Sequence, residues 1–496
     1  MLRATLYALT LFTVVVNSRA QAQPTSDAAQ QAAQAEAALA GLPRLPIDSA
    51  GGPTPAPQGS ISTDVSISGA AGGSVLYQRI HEDHFLAVEL FNQTTIGPVT
   101  FGLVVPLRFR IIDRAPDDDG VFRKEDWDEV SDFARLLRFV ELRIGGEKWR
   151  FRGRFGELWG ESLGHGSLVA SYFNTVDRDH YQAGLVLDAA VRWGGVYLML
   201  DNLLAPEIFA TRIHLRPASF FTDNVWANKL IVGISVAGDT DAPLALVDAN
   251  GDGQADVDGD NNLITSGDRA VMLYGFDVEY SLIQNKLLDL VPYFDINVLS
   301  AGGSAAGFHL GFFFNLRVPT FLGPNISTRL EFRAMADGYA PRYIDAVYEA
   351  QRLQHDADRL VDAATGLPLT KLAWLQSGVS GNHGWLGELF IDLAGWIRVG
   401  GSYEDYEGPN NSAIILGLLL PKLSVIQAGA YYARRGFDGL AGVFDLDGAL
   451  LVAYLRAKVY GPLAVSAVYS RTWQLIDGRY EATDDFSAGI GLSFSY

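Results

Sequence analysis

Four basic residues recur at every second position of one short stretch: Lys148, Arg150, Arg152 and Arg154. Aromatic residues and a glycine separate them, so an extended strand would place all four cations on one face. Like charges at this spacing repel, and in a dry core they would be costly, so they need water or counter-ions. The spacing therefore predicts a strand that faces a wet interior, where a row of cations could select among dissolved ions.

Further charged positions fall on the predicted inner faces of other strands, and their sign changes along the chain. The first half contributes basic residues: Arg108, Arg110, Arg143, Arg212 and Arg216. The second half contributes acidic residues: Asp277, Glu279, Asp295, Glu331 and Asp392. A basic wall facing an acidic wall across a narrow lumen would orient polar solutes. The alternative is that these charges pair with one another and close the lumen.

The segment from Asp248 to Asn261 has the spacing of a calcium-binding loop. Its candidate ligands are Asp248, Asn250, Asp252, Gln254, Asp256, Asp258 and Asp260. The first three match positions 1, 3 and 5 of such a loop, and Gly253 is the turn glycine. The segment resembles the acidic calcium repeats of thrombospondin type 3 and dockerin modules. Gly259 stands where an EF-hand has a bidentate Glu, so an EF-hand with flanking helices is not expected.

Structural Ca²⁺ is therefore the predicted cofactor of this loop, and a merely solvated acidic loop is the alternative. No comparable motif predicts catalysis. His165 and Ser167 lie close together in sequence, but a catalytic triad is defined by geometry and not by adjacency. The chain has no cysteine, which excludes disulfides and thiolate chemistry. We predict that the protein is not an enzyme.

The elements that carry these residues are predicted to be strands. At the end of the chain, six residues alternate with Ser and Gly: Phe486, Ala488, Ile490, Leu492, Phe494 and Tyr496. Period-2 alternation puts an apolar phase on one face and water or a packed interior on the other. A strand that ends on an aromatic residue resembles the closing strand of Gram-negative outer-membrane β-barrels.

The connections between the predicted strands have two very different lengths. Short turns rich in Gly, Pro or Asn alternate with six long polar connections: 113–129, 157–180, 239–268, 337–383, 435–447 and 476–485. Outer-membrane barrels have long extracellular loops and short periplasmic turns. The pattern predicts an all-β, transmembrane, antiparallel up-and-down barrel over residues 60–496, with about 18–20 strands in a range of 16–20.

The N-terminal residues have a different composition. Residues 1–22 are typical of a secretory signal peptide, with Arg3 before an apolar run and an Ala-Gln-Ala cleavage site. Residues 23–59 are interpreted as a periplasmic extension, namely an Ala/Gln-rich helix followed by a Pro/Gly linker. Export to the bacterial outer membrane is the expectation.

The resemblance to porins in general barrel features implies a passive channel for small polar or charged solutes. The alternative is a closed barrel that acts as a surface scaffold or adhesion platform, with acidic loops that bind divalent cations. The expected partners are outer-membrane lipid, small polar solutes and divalent cations, and a homo-oligomer is compatible with the pattern. A net charge of −19 argues against nucleic acid. A carrier of hydrophobic molecules would have an apolar lumen. The row of basic residues argues against that function.

Calcium binding to the acidic loop can be tested by limited proteolysis between Asp248 and Asn261. We expect millimolar calcium to slow cleavage there and a chelator to restore it, because a bound cation holds the loop closed. Magnesium at equal concentration is the control. Cleavage that is indifferent to calcium would contradict the prediction.

Overall fold

The computed structural model describes residues 67–495 apart from short gaps at 81, 115–119, 124–125, 128–130, 147, 175–180, 260–261, 321–322, 356–359, 421–424, 440–441, 447–448 and 477. The predicted signal peptide, the N-terminal helix and linker, and Tyr496 lie outside the described residues.

The described residues form an antiparallel β-structure. Its strands are β1 (Ile67–Ile80), β2 (Asp83–Ile96), β3 (Val99–Ile112), β4 (Leu137–Gly146), β5 (Trp149–Gly156), β6 (Trp159–Glu161), β7 (Tyr172–Phe173), β8 (Gly184–Val191), β9 (Gly194–Leu200), β10 (Ile208–Leu215), β11 (Leu230–Pro243), β12 (Asp268–Tyr280), β13 (Ile283–Gln284), β14 (Leu288–Ser300), β15 (Ser304–Arg317), β16 (Pro324–Met335), β17 (Asn382–Leu393), β18 (Ile397–Tyr406), β19 (Ser412–Leu420), β20 (Ile426–Phe437), β21 (Leu450–Tyr460), β22 (Leu463–Ile476) and β23 (Arg479–Ser495).

Twenty of these strands close into a barrel within the described part of the chain. The short strands β6 and β7 pair with each other outside the barrel sheet. The short strand β13 pairs with the start of β14, next to the part of β14 that pairs with β12. Closure comes from β1, which pairs with β2 on one side and with β23 on the other, in a register that sets Ala70 opposite Ser495 and Arg79 opposite Phe486. The predicted fold class is confirmed, with a strand number at the top of the predicted range.

The two faces of the barrel wall differ in polarity, as the alternation predicts. On β15, Phe308 and Leu310 point outward with 40% and 52% of their surface exposed, whereas the intervening His309 is fully buried inside. On β23, Ile490 and Phe494 are outward and more than half exposed. Large apolar side chains exposed on many strands form a band around the outside, which a bilayer would cover.

The long connections lie at one end of the barrel, here called the long-loop end, and most short turns lie at the opposite, short-turn end. Two differences from the prediction occur. Residues 476–485 form no long loop, because β22 runs to Ile476 and β23 begins at Arg479. The connection 216–229, at the short-turn end, contains two 3₁₀ turns, Pro217–Phe220 and Ala227–Lys229.

Two connections from the long-loop end fold into the barrel. The first inward loop is residues 157–183 and contains β6 and β7. The second inward loop is residues 336–381 and contains two short helices, α1 (Tyr348–Leu353) and α2 (Lys371–Gln376). A further 3₁₀ turn, Ser131–Leu136, precedes β4. No helix among the described residues is long and apolar enough to span a membrane.

An apolar core joins the two inward loops to the inner wall of β8 to β12. Leu168 and Tyr172 of the first loop pack with Tyr343 and Ile344 of the second loop against wall residues such as Met199. Gly307 on β15 has no side chain, and a Cβ there would lie 2.3 Å from the Tyr339 ring of the second loop. Part of the lumen wall is thus apolar and covered by the loops, where the sequence predicted inner faces that meet a wet lumen.

The apolar outer band gives a depth-dependent prediction. Leu310 lies at mid-strand and Leu287 in a turn at the short-turn end, and their exposures are similar at 52% and 49%. In a bilayer, Leu310→Arg should lower the free energy of unfolding by about 2–4 kcal/mol, and Leu287→Arg by about 0–1 kcal/mol, because charge is costly only near the midplane. Folding into phospholipid vesicles in a urea series measures both. Equal costs would argue against a membrane-spanning band.

Candidate functional site: the charged lumen

The structure separates the predicted lumenal charges into two positional groups. Most lie on inner faces of barrel strands and are largely buried: Arg108, Arg110, Arg150, Arg152, Arg154, Arg212, Asp277, Glu279, Asp295 and Glu331. The others lie at or near the short-turn end: Arg143, Lys148, Arg216 and Asp392. Asp392, for example, accepts a hydrogen bond from the Gly395 backbone in the turn and pairs with Arg398 at 3.2 Å.

The basic stripe on β5 is compensated by neighbouring carboxylates. Arg152 contacts Glu161 of the first inward loop at 2.8 Å, and Arg154 contacts Glu141 of β4 at 3.2 Å. The guanidinium of Arg154 also lies 4.1 Å from the centre of the Trp159 ring, a cation–π geometry. The like charges of the stripe are therefore kept together by acidic groups on both sides.

A similar pairing joins the basic first half to the acidic second half of the chain. Arg212 of β10 donates two hydrogen bonds to Asp277 of β12, at 2.7 and 3.1 Å. Gly233 of the intervening strand leaves room for them, because a Cβ there would lie 2.3 Å from the Asp277 carboxylate. These opposite charges meet along the wall and do not face each other across open space.

His165 attaches the first inward loop to the acidic wall. Its Nδ1 lies 2.6 Å from Asp295 and its Nε2 lies 3.0 Å from Glu279, and all three side chains are buried. Both ring nitrogens can donate only in the imidazolium form, so this arrangement stabilises a charged ring between two carboxylates. The ring also stacks on Tyr293 at 4.0 Å. Gly164 and Gly166 have positive φ angles of 56° and 74°, which shape the tight turn that presents it.

Arg342 attaches the second inward loop to β17 and β18, which β15 and β16 separate from β14. Its two terminal nitrogens donate to Glu388 of β17 at 2.6 Å and to Glu404 of β18 at 2.7 Å. Glu404 also accepts from Arg333 at 2.7 Å, and Glu388 also accepts from Arg329. The guanidinium thus joins two carboxylates that already have wall partners, which makes a buried network.

The two inward loops are also joined to each other. Ala170 donates its backbone N–H to Ile344 at 3.0 Å, and Arg342 donates its own to Ser167 at 2.9 Å. These bonds form a short parallel bridge inside the barrel, between Val169 and Ile344. The first loop is also anchored at β5, where its Glu161 pairs with Arg152. Because β5 lies across the barrel from β17 and β18, where the second loop is anchored, the two loops together bridge the lumen.

A third connection covers the end of β3. Asp126 is fully buried and pairs with Arg108, Arg123 and Arg135 at 2.8, 3.1 and 3.2 Å. Burial by itself would raise the pKa of the Asp126 carboxyl, but the three guanidinium groups lower that pKa well below its usual range. The carboxylate stays charged and holds this connection to the wall.

One inward-facing cation differs from the rest. Arg456 on β21 is 3% exposed, while its neighbour Leu455 points outward. Its Nε and Nη1 have no hydrogen-bond partner, and no carboxylate within the described residues pairs with it. The inner positions beside it on β22 and β23 are small, including Ser466 and Gly489.

The acidic loop lies over the long-loop end of the barrel. Its apolar residues Leu246 and Ala255 pack against Leu367 of the second inward loop and Leu475 of β22. Asp248 accepts backbone hydrogen bonds from Gly251 at 2.6 Å and Gly253 at 2.9 Å.

The remaining candidate ligands of that loop are mostly exposed. Asp252 accepts from the Gln254 backbone, Asp256 from Ala249 and Asp258 from Asn262. Asn250 donates to Asp252 at 3.0 Å. Among the described residues no group of three His, Asp or Glu side chains is arranged around a common point, and Asp260 lies outside them. Calcium binding stays a prediction.

Sequence reasoning missed the residues that hold the loops in place. His165 was considered only as a catalytic residue, and Arg342 was not singled out. The glycines on both sides of His165 were the available signal, since they indicate a constrained turn. Arg342 lies in a long polar connection in which nothing in the local pattern marks it.

No protein-family model and no curated protein matches the chain. Among solved structures, it is similar to OccK5 (OpdH) of Pseudomonas aeruginosa, with 10% identity, a TM-score of 0.31, and coverage of 87% of this chain and 98% of that one. It is also similar to the siderophore receptor PirA of Acinetobacter baumannii, with 9% identity, a TM-score of 0.35, and coverage of 87% and 81%. Matches at these scores do not carry the function of either protein to this chain.

Removing the Arg342 side chain should release the second inward loop. Arg342→Met should cost about 3 kcal/mol of stability, near the lower end for breaking a buried ion pair, because Glu388 and Glu404 keep one cation each. Arg398→Met, at a partly exposed pair, is the matched control and should cost under about 1 kcal/mol. Proteolysis within residues 336–381 and urea unfolding measure the effect. Equal behaviour of the two variants would contradict the tethering role.

Proposed function

We propose that the protein is an outer-membrane, porin-like channel through which small polar or charged solutes diffuse. The observation that carries this proposal is the polarity of the closed barrel, which is apolar outside and densely charged inside. Closed barrels and helices are the structures that satisfy every backbone group in lipid. A lumen rich in ionised side chains is favourable where water reaches it.

The inward loops support selective passage. They lie inside the barrel and are attached to its wall by buried charges at His165 and Arg342. An inward-folded loop narrows a wide barrel, and ionised groups at a narrow point tune which ions pass. The apolar part of the inner wall is covered by the loops, so it does not form a continuous apolar surface along which hydrophobic molecules could pass.

Charge selectivity is proposed to depend most on cations that lack a carboxylate partner. The Arg150, Arg152 and Arg154 stripe is compensated by acidic neighbours. Arg456 is the uncompensated inward cation described above, beside small residues of β22 and β23. A solute path along this side of the lumen would therefore meet a net positive charge.

A second candidate function follows from the same loops. Because they bridge the lumen from β5 to β17 and β18, they favour a closed barrel that serves as a surface scaffold. In this alternative the exposed acidic loop contacts divalent cations or partners, and no solute passes.

Single-channel recording in a planar bilayer, with a salt gradient across it, separates the two candidates. We expect stable conductance steps with a measurable reversal potential. Replacing Arg456 with Gln should move the permeability ratio toward cations, because an uncompensated positive charge is removed. The triple change of Arg150, Arg152 and Arg154 to Ala should move it in the same direction.

The control for the selectivity variants is Lys286→Gln, which removes a cation from an exposed turn at the short-turn end. If the permeability ratio is unchanged in the Arg456 variant and in the triple variant, these residues do not determine the charge selectivity. If the protein migrates as a folded, heat-modifiable barrel on a gel but shows no conductance, the closed scaffold is favoured.

A further inference from the structure

A short stretch in the connection after β20, residues 442–446, packs against the outside of the barrel wall and is here called the outer segment. Its Val443 lies in an apolar cluster with Tyr432 of β20. The residue before it, Tyr431, points into the lumen, where it packs with Phe173 of the first inward loop. Because neighbouring residues of a strand point to opposite faces, Tyr432 and the cluster around it lie on the outer face.

The outer segment covers wall residues that continue the apolar band. One row of paired residues runs across the strands from β17 to β21: Leu389, Gly401, Leu416, Tyr432 and Leu451. At the start of this row, Leu389 is 48% exposed, like the rest of the band. Further along it, Tyr432 is only 9% exposed, and Leu416 and Leu451 are partly buried in the same cluster. On these strands the protein itself covers surface that lipid would otherwise cover.

The length of β19 places the outer segment at the depth of the membrane. This strand has nine residues, and a strand needs about 9–11 residues to cross a bilayer. Ile414 and Leu416, which pack with the segment, lie in the half of β19 nearer the long-loop end. Leu418, lower on the same face, is 39% exposed. The segment therefore reaches down the outer half of the apolar band and leaves the lower half uncovered.

Side chains of the wall satisfy backbone carbonyl groups of the outer segment. The Tyr432 hydroxyl lies 2.6 Å from the carbonyl oxygen of Val443 and 2.9 Å from that of Asp445, so its O–H can donate to either. Arg471 of β22 donates from Nε to the Leu446 carbonyl at 3.1 Å. Irregular backbone is costly in lipid unless protein groups pair with it. These bonds therefore supply what a loop needs in order to lie against a bilayer.

The free face of the outer segment is apolar. Phe444 is 78% exposed and Leu446 is 43% exposed. Asp445, which stands between them in sequence, pairs with Arg434 of the wall at 3.0 Å, so its charge is compensated. Apolar side chains carried by a polar-backed element suit the boundary between lipid headgroups and acyl chains.

We propose that the outer segment is a lipid-binding element that inserts Phe444 and Leu446 among the acyl chains of the outer leaflet. Its apolar face is continuous with the band that includes Leu389, Leu418 and Leu455, and this continuity favours lipid over a second copy of the chain as the partner. The proposal rests on the outer-membrane placement of the barrel. It does not depend on whether the lumen conducts, so it applies to the channel and to the scaffold alike.

Because the chain has no cysteine, single cysteines can carry a fluorophore at one known position of the full-length barrel. Phe444→Cys and Leu446→Cys report on the outer segment. Leu418→Cys is the lipid-facing control on β19, and Ala364→Cys, in an exposed turn of the second inward loop, is the water-facing control. Each variant is checked for heat-modifiable migration and folded into phosphatidylcholine vesicles. Quenching is measured with a phospholipid that carries a nitroxide on its acyl chain, and with iodide on both sides of the membrane.

We expect the acyl-chain nitroxide to quench the labels at Phe444 and Leu446 as strongly as the label at Leu418, and iodide to quench them far less than the label at Ala364. Strong quenching by iodide without quenching by the nitroxide would overturn the proposal. A disulfide-linked dimer as the main product of oxidising unlabelled Phe444→Cys barrels would also overturn it, in favour of a second copy. If the Leu418 label also escapes the nitroxide, the outer-membrane placement fails as well; if it is quenched, only the lipid-binding segment is refuted.

Discussion

Closure of the sheet by pairing of β1 with β23 is the constraint on which the other features depend. A strand at an open edge exposes unpaired N–H and C=O groups, and lipid offers them no partner. Once the sheet is closed, each strand has one face outside and one inside, which is why a period-2 sequence can be apolar on one face and charged on the other. The inner face then becomes a shared compartment, in which residues far apart in sequence meet.

Charge compensation organises that compartment. Buried guanidinium and carboxylate groups are costly unless they are paired and hydrogen-bonded, and the barrel meets this requirement by joining wall to loop. Arg342 contacts carboxylates on the neighbouring strands β17 and β18, and His165 does the same on β12 and β14. These contacts fix the loop positions, whereas apolar packing around Tyr172 and Tyr343 excludes water beneath them. Charge pairing thus sets the position of the loops, whereas apolar packing keeps water out from under them.

The departures from full compensation are as informative as the pairs. Arg456 of the wall strand β21 is buried, but no carboxylate within the described residues pairs with it. A stable fold tolerates few such groups. For Arg456, which lies beside small residues of β22 and β23, selection of solutes is the proposed role.

The sequence by itself determined the class of the fold, the sorting of long and short connections, and the inner position of residues such as Arg152 and Asp277. These properties are local, because side-chain direction repeats every two residues and turn composition is read over a few positions. Only the tertiary structure decided which charges pair and which loops fold inward. His165 and Asp295 are 130 positions apart, and no local pattern relates them. The direction of a loop depends on partners supplied by the closed wall, which exist only once the barrel has formed.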